Sequence, residues 1–378
     1  MKLLKLKLKK YRNYDKLDIE LSPNLNIFIG NNAQGKSNIL ESVFVLALTK
    51  SYMNIKDYYL IKDNEDFARI EGIFLDDKQV EKKFQVVITE SSKKLKINRK
   101  EIKKYSEYIS NIKVLIFSPY NVNFVKDGPG VRRKDINMVI SQINNNYVKL
   151  LQNFNAILKK RNYFLKNVNR LNDYDRIFLD NLNEKFCSLA VDIIIKRKEF
   201  IQDINKYLDG INEEITGISN LKISYISNVS YNEDRNIMIN NLLDKLNSNY
   251  DREKLYGMTL FGPHRDDFLF QLNGKDLSIY GSQGQIRAAI LALKLSELML
   301  FKEKDDNYPI LLLDDIFSEL DIEKRNRLVK YILDDVQTII TTTDINLIDN
   351  ELVDKARIFS VSGGKVVYNH ERGCKDEQ

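Results

Sequence analysis

Apolar positions in the first third of the chain either alternate with polar ones or run together in short blocks. The stretches "LKLKLKKY", "LDIEL", "LNIFIG", "FARIEGIFL" and "KKFQVVITE" each read as a strand, with turn residues between them. "KKLKINRKEIKKY" reads as a basic hairpin turning near Asn98. From residue 132 to 208 the period lengthens. "INMVISQINNNYVKLLQNFNAILKKRNYFLK" and "DNLNEKFCSLAVDIIIKRKEFIQDINKYL" carry apolar residues at helical spacing without interior proline or glycine, which predicts two long helices forming an arm. Strands resume at "LKISYIS". Beyond Gly257, "YPILLLDDIF" and "VQTIITTTD" contain short, fully apolar strands, as a parallel sheet buried on both faces requires. The two ends of the chain therefore make one α/β domain with a helical module inserted between them. The expected division is a head segment at 1–125, a helical second domain at 126–256 and a second head segment at 257–378.

Composition adds bounds. The 378 residues exceed one average domain, and 43% hydrophobic content supports a sizeable core. The net charge of +6 and pI near 8.9 mildly favour an anionic partner such as nucleic acid. The opening "MKLLKLKLKKY" lacks the apolar stretch of a signal peptide. No run approaches the ~18 apolar residues of a membrane span, so no membrane partner is expected. Two cysteines, Cys187 and Cys374, and two histidines, His264 and His370, give no zinc spacing and at most one disulfide, which fits a cytoplasmic setting.

Two motifs carry chemistry. "LNIFIGNNAQGKSNILES" places Gly30, Asn31, Asn32, Ala33, Gln34, Gly35, Lys36 and Ser37 between a strand and a helix, the context a phosphate-binding loop requires. Its glycines let backbone N–H groups curl around phosphate oxygens, and the helix N-terminus favours negative charge. Lys36 supplies the cation for β- and γ-phosphates, and the Ser37 hydroxyl can ligate Mg²⁺. "ILLLDD" supplies the complementary carboxylates at a strand end. Asp314 suits the metal side, and Asp315 suits orientation of an attacking water. ATP with Mg²⁺ is the ligand these residues call for.

A third motif, "YGSQGQIRAAILALKLSE", sets Ser282, Gln283 and Gly284 ahead of a helix, 32 positions (314 − 282) before Asp314. Taken alone, Ser282 reads as a helix N-cap. In order with the other two motifs, the loop resembles the signature of ABC-type ATPases, which faces the nucleotide of a partner subunit. "FSELD" follows where that class carries its dimer-facing loop.

Taken together, "YRNY", "GNNAQGKSNILES", "GPHRDD", "YGSQGQIRAAILALKLSE", "PILLLDDIFSELD" and "TIITTTD" resemble the RecF family, and the likeness extends into the arm at "YVKLLQNFNAILKKRNYFLK". The resemblance implies an ABC-type P-loop ATPase head with a short helical second domain. It implies a weak ATPase acting as a DNA-binding switch, ATP-dependent homodimerisation on gapped, double- and single-stranded DNA, and work with RecO and RecR in loading RecA. It also brings Arg12 towards the nucleotide, and puts Thr341, Thr342 and Thr343 where many ABC ATPases carry a switch histidine. Three stretches depart from the family pattern. Tyr120, Asn121 and Val122 stand where Glu-Asp-Leu is usual, Met53 ends a usual Ser-x-Arg, and Asn137 replaces a usual Asp. These leave the nucleotide motifs intact, and what they change is expected to be the coupling loop near Tyr120. A diverged relative with another DNA role is the alternative within the class.

Outside the nucleotide motifs, Lys93, Lys94, Lys96, Arg99, Lys100, Lys103 and Lys104 crowd the predicted hairpin against one acid, Glu101. Such a surface binds phosphates without reading bases, or is only a solvated face. Arg132, Arg133 and Lys134 sit at a predicted helix start, where cations oppose the helix dipole and call for an acidic or anionic partner. His264 is either a functional residue of "GPHRDD" or a loop histidine satisfied by local backbone. The rival classes are a transporter ATPase subunit, which has a shorter interval between loop and signature, and a P-loop kinase, which lacks the signature. A long coiled-coil structural ATPase is excluded by size.

Overall fold

The computed structural model describes residues 1–109, 111–168, 171–332 and 336–369. His370 and Cys374 lie outside them. In chain order the strands are β1 (Lys2–Tyr11), β2 (Tyr14–Glu20), β3 (Leu25–Ile29), β4 (Phe67–Leu75), β5 (Glu81–Thr89), β6 (Lys93–Ile97), β7 (Lys100–Ile102), β8 (Val114–Phe117), β9 (Leu221–Ile226), β10 (Asp267–Leu272), β11 (Lys275–Asp276), β12 (Ile310–Asp314), β13 (Thr338–Thr342), β14 (Ala356–Ser362) and β15 (Lys365–Asn369). The principal helices are α1 (Lys36–Leu48), α2 (Pro129–Ile143), α3 (Asn145–Asn167), α4 (Asp173–Thr216), α5 (Arg235–Ser248), α6 (Gln283–Asp305) and α7 (Ile322–Ile332). Among the described residues, no helix is long and apolar enough to cross a membrane.

The chain divides into two compact units. One holds Met1–Asn123, Tyr207–Ser219 and Gln283–Gln378, the other Phe124–Lys206 and Asn220–Ser282. The expected break at 125 falls two residues earlier. The expected return at 257 falls instead at 283, because β10 pairs with β9 and β11, not with a head strand.

The first unit has two six-stranded sheets, an antiparallel one ordered β2-β1-β4-β5-β6-β7 and one ordered β15-β14-β3-β13-β12-β8. In the second sheet β14, β3, β13, β12 and β8 run parallel, and β15 closes the edge antiparallel. β12 and β13 are buried along their whole length, which explains their continuous apolar runs. Helix α1 is buried from Ile39 to Leu48 and packs on β4 and β5 of one sheet and on β12 and β13 of the other. Its polarity is correspondingly low, with Glu41 and Ser42 its only fully buried polar side chains past the first turn.

The second unit combines the sheet β11-β10-β9 with α2, α3, most of α4 and α5. The first long helical stretch is broken, contrary to expectation. Asn144 leaves helical geometry at φ −129°, ψ 103°, and its side chain accepts from the Asn146 N–H, so α2 ends and α3 begins there. An asparagine cap does what no proline or glycine was present to do. At the centre, Arg161 is fully buried and donates to Asn183 at 2.7 Å, Thr259 at 2.8 Å and the equally buried Glu253 at 2.6 Å. Arg161→Met strands the Glu253 carboxylate in the core and is expected to lower stability by about 3–5 kcal/mol. Urea unfolding checks this; an unchanged midpoint would show the pair to be dispensable.

Candidate nucleotide site

The site is built on the carboxyl edge of the parallel sheet, where β3, β13 and β12 lie side by side. Open α/β sheets place ligands at this edge. β3 delivers the loop from Gly30, and the Gly30 N–H donates to the Thr342 carbonyl at 3.3 Å. A Cβ at Gly30 would lie 2.2 Å from the Val361 carbonyl oxygen, so glycine is obligatory there. Gly35 adopts φ 109°, and a Cβ would press on Asn13 and Tyr14 at 2.5 and 2.9 Å. Asn31, Asn32 and Ala33 are exposed, and Gln34 is half-buried.

"YRNY" turns out to be the frame of this loop. Asn13 Nδ2 donates to the Gln34 carbonyl at 3.0 Å, and Tyr14 OH to the Gly35 carbonyl at 3.0 Å. Tyr11 OH and Arg12 both reach Glu41 of α1, Arg12 through two bonds of 2.7 and 2.8 Å. Arg12 also donates to the Tyr59 carbonyl at 3.0 Å. The Arg12 guanidinium is therefore engaged by protein groups beside the loop's helix. The turn after β14 closes the other flank, with Gly363 N–H on Gln34 Oε1 at 2.6 Å.

Lys36 folds back over its own loop. Its Nζ donates to the carbonyls of Gly30 and Asn31 at 2.6 and 2.8 Å. Burial lowers its pKa, opposed by Asp315 and Asp314. Ser37 Oγ donates to Asp314 Oδ1 at 2.7 Å, across 277 positions of sequence. Thr341 Oγ1 donates to the same oxygen at 2.8 Å, and Tyr52 OH to Oδ2 at 2.8 Å. Asp315 turns off the strand in the left-handed region, φ 51°, with its N–H on Thr341. Its Oδ1 is buried and has no hydrogen-bond partner among the described residues. Burial raises the Asp315 pKa, Lys36 counters this, and Asp314 adds to the rise. A buried carboxylate oxygen without a partner is costly, which singles out Asp315 as a candidate ligand-facing group. The donor set of Lys36, Ser37, Asp314 and Asp315 fits a nucleotide phosphate with its divalent cation.

The remaining candidates lie elsewhere. Ser282 precedes α6, and Ser282, Gln283 and Gly284 are all exposed at its start. Of the three threonines, Thr341 serves Asp314, and Thr342 Oγ1 donates to the Asp344 carbonyl at 2.9 Å. Tyr52, Asn13, Tyr14 and Glu41 escaped the sequence reading as site residues. All four lie in stretches that the resemblance singles out or that depart from it.

"GPHRDD" forms a knot inside the second unit. Asp267 takes Arg132 through two bonds of 2.7 and 2.8 Å, and Asp266 accepts from Tyr225. The Pro263 carbonyl accepts from Arg197 at 2.6 Å. Arg132 thus finds the acidic partner its helix-start position called for. Arg133 donates to the Asp266 carbonyl at 2.6 Å. His264 is half-buried, with Nε2 against the Thr259 carbonyl at 3.0 Å and Nδ1 without a hydrogen-bond partner among the described residues, and burial pushes its pKa down to about 4. The departures are also absorbed. Asn121 Oδ1 accepts from the Ser118 N–H at 2.8 Å, and Asn137 Oδ1 accepts from Tyr147 and Arg197. The Met53 sulfur lies 3.9 Å from the Arg12 guanidinium.

These features define a P-loop ATPase head, and a family described as "RecF/RecN/SMC N terminal domain" matches residues 2–365. A Smc head domain from Pyrococcus furiosus has the same fold, with TM-score 0.56 and 16% identity over 97% of this chain and 96% of that one. The chain belongs to the RecF family. It is 37% identical to "DNA replication and repair protein RecF" of Ligilactobacillus salivarius (strain UCC118), over the full length of both chains. The protein of that name from Listeria monocytogenes serovar 1/2a is 40% identical, covering 97% of this chain and 99% of its own. A solved structure titled as the recombination mediator protein RecF-ATP in the RecFOR pathway superposes with TM-score 0.90, at 30% identity and 97% coverage of each chain. Membership in this family displaces the transporter and kinase readings.

Proposed function

We propose that the chain is an ATP-dependent DNA-binding protein of replication and repair. It closes into a homodimer with ATP between its heads and, with RecO and RecR, assists RecA loading at single-strand gaps in the cytoplasm. The observation that carries this is the meeting of Lys36, Ser37, Asp314 and Asp315 on one sheet edge, with one Asp315 carboxylate oxygen buried and unpartnered among the described residues. Gly30, Asn31, Asn32, Ala33, Gln34 and Gly35 provide backbone N–H groups for phosphate oxygens. Lys36 exchanges its loop carbonyls for β/γ-phosphate oxygens. Ser37 and Asp314 would hold Mg²⁺, which when bound neutralises charge on those phosphates. Asp315 orients the attacking water, and its raised pKa suits a base. Arg12 serves at one remove, through Glu41 and α1. Ser282, Gln283 and Gly284, exposed at a helix N-terminus, meet the partner subunit's nucleotide. Steady-state ATP hydrolysis with and without gapped DNA tests the reading. Slow turnover that DNA alters supports it, and no hydrolysis in either condition counts against it.

The basic hairpin supports a DNA surface with one correction. Lys93 is buried, bonded to the Thr49 carbonyl and to Asp57 at 2.8 Å, so it is a structural lysine. Lys94, Arg99, Lys100, Lys103 and Lys104 are exposed, and Lys96 is half-buried. Changing Lys94, Arg99, Lys100 and Lys103 to glutamine is expected to weaken DNA binding. It should also flatten the log–log salt slope by about 0.9 for each phosphate that is no longer neutralised. An unchanged slope would make the hairpin a solvated face.

A further inference from the structure

Nothing in nucleotide chemistry calls for Tyr52, yet the structure ties it to the metal-side carboxylate. Asp314 is buried, and both of its oxygens are held: Oδ1 by Ser37 and Thr341, Oδ2 by the Tyr52 hydroxyl at 2.8 Å. The Tyr52 ring is clamped edge-on by Phe44, centroids 5.5 Å apart, and by Tyr120 at 6.3 Å. Tyr120 is 56% exposed and lies in the turn that follows β8, the strand next to β12. Two stretches in which this chain leaves its family's pattern thus touch each other, and one of them reaches Asp314.

We propose that Tyr52 is a positioning residue for the divalent cation: its hydroxyl fixes Asp314 in the orientation it presents beside Ser37, and Tyr120 braces the ring. This rests on the reading of Asp314 and Ser37 as the metal-side pair. A phenol hydroxyl carries its proton at neutral pH, and at 2.8 Å it donates that proton to Asp314 Oδ2. A carboxylate that ligates a metal depends on its outer hydrogen bonds, whose loss typically costs about 10–100-fold in metal affinity. Tyr52→Phe keeps the ring packing and removes only the donor. Tyr120→Ala leaves every bond to Asp314 in place and removes the brace from an exposed position, where folding is safe.

The test is calorimetry of a non-hydrolysable ATP analogue across a Mg²⁺ series and in EDTA, with thermal melting of the nucleotide-free chains. Tyr52→Phe is expected to bind the analogue in EDTA as wild type does, but to need about tenfold more Mg²⁺ for half-maximal tightening. Tyr120→Ala should move the same half-point less, in the same direction. A role in packing alone would lower the melting temperature and leave the Mg²⁺ half-point where it was, which overturns the proposal. Asp314→Asn separates the two layers. If it leaves the Mg²⁺ requirement unchanged, the metal-side reading itself fails. If it abolishes that requirement while Tyr52→Phe changes nothing, only the role of Tyr52 fails. Should Tyr52→Phe not fold, an unshifted half-point in Tyr120→Ala overturns the proposal.

Discussion

Lys36→Ala is expected to reduce ATP affinity by roughly 100-fold or more. Lys36 is the only cation in the loop from Gly30 to Ser37. Two charge-assisted hydrogen bonds of about 1.5 kcal/mol each already amount to that factor. The loss has a second source. The Lys36 ammonium also ties down the carbonyls of Gly30 and Asn31, so its removal loosens the cradle. Calorimetry with ATP and Mg²⁺ checks the result, and affinity within a few-fold of wild type would contradict the assignment of the loop.

Ser282→Arg and Asp315→Asn are expected to have opposite effects on assembly. Ser282 is exposed, and no bond that shapes the nucleotide loop described above comes from it, so ATP binding by the monomer should persist. The arginine would fill the space in which the hydroxyl and the α6 N-terminus meet the partner's phosphate, and ATP-driven dimerisation should be lost. Asp315→Asn keeps the shape at the strand end but removes the carboxylate that orients water. ATP then remains intact, and the dimer should outlive that of wild type. Either variant behaving as the other is expected to would show that the loop at Ser282 serves only its own helix.

The head was legible in the sequence because its physics is local. A fully apolar strand ending in Asp314 and Asp315, and a glycine-framed loop between strand and helix, each declare themselves within a dozen residues. What joins them did not. Thr341 reaches the site through sheet order, since β13 lies between β3 and β12, while Tyr52 comes from the segment after α1 and Asn13 from the turn between β1 and β2, and no spacing in the sequence says so. The arm misled in two ways. Asn144 breaks a helical run by a side-chain cap that periodicity does not register. The return to the head was expected at 257 because the chain beyond Gly257 reads as α/β; β10 lies past that point, and its pairing with β9 keeps it in the second unit. The hairpin lysines look alike in sequence, and only packing against Thr49 and Asp57 sets Lys93 apart. Arg12 was expected to act on the nucleotide, yet Glu41, a buried acid on an apolar helix, engages its guanidinium.

Sedimentation velocity of the wild-type chain, with and without ATP and with and without gapped DNA, reads the decisive property most directly. The expected result is a monomer without nucleotide and a dimer with ATP and Mg²⁺, with more dimer when DNA is present. A monomer in all four conditions, or a dimer indifferent to ATP, would contradict a switch in which Ser282, Gln283 and Gly284 of one subunit close on the nucleotide held by Lys36 of the other.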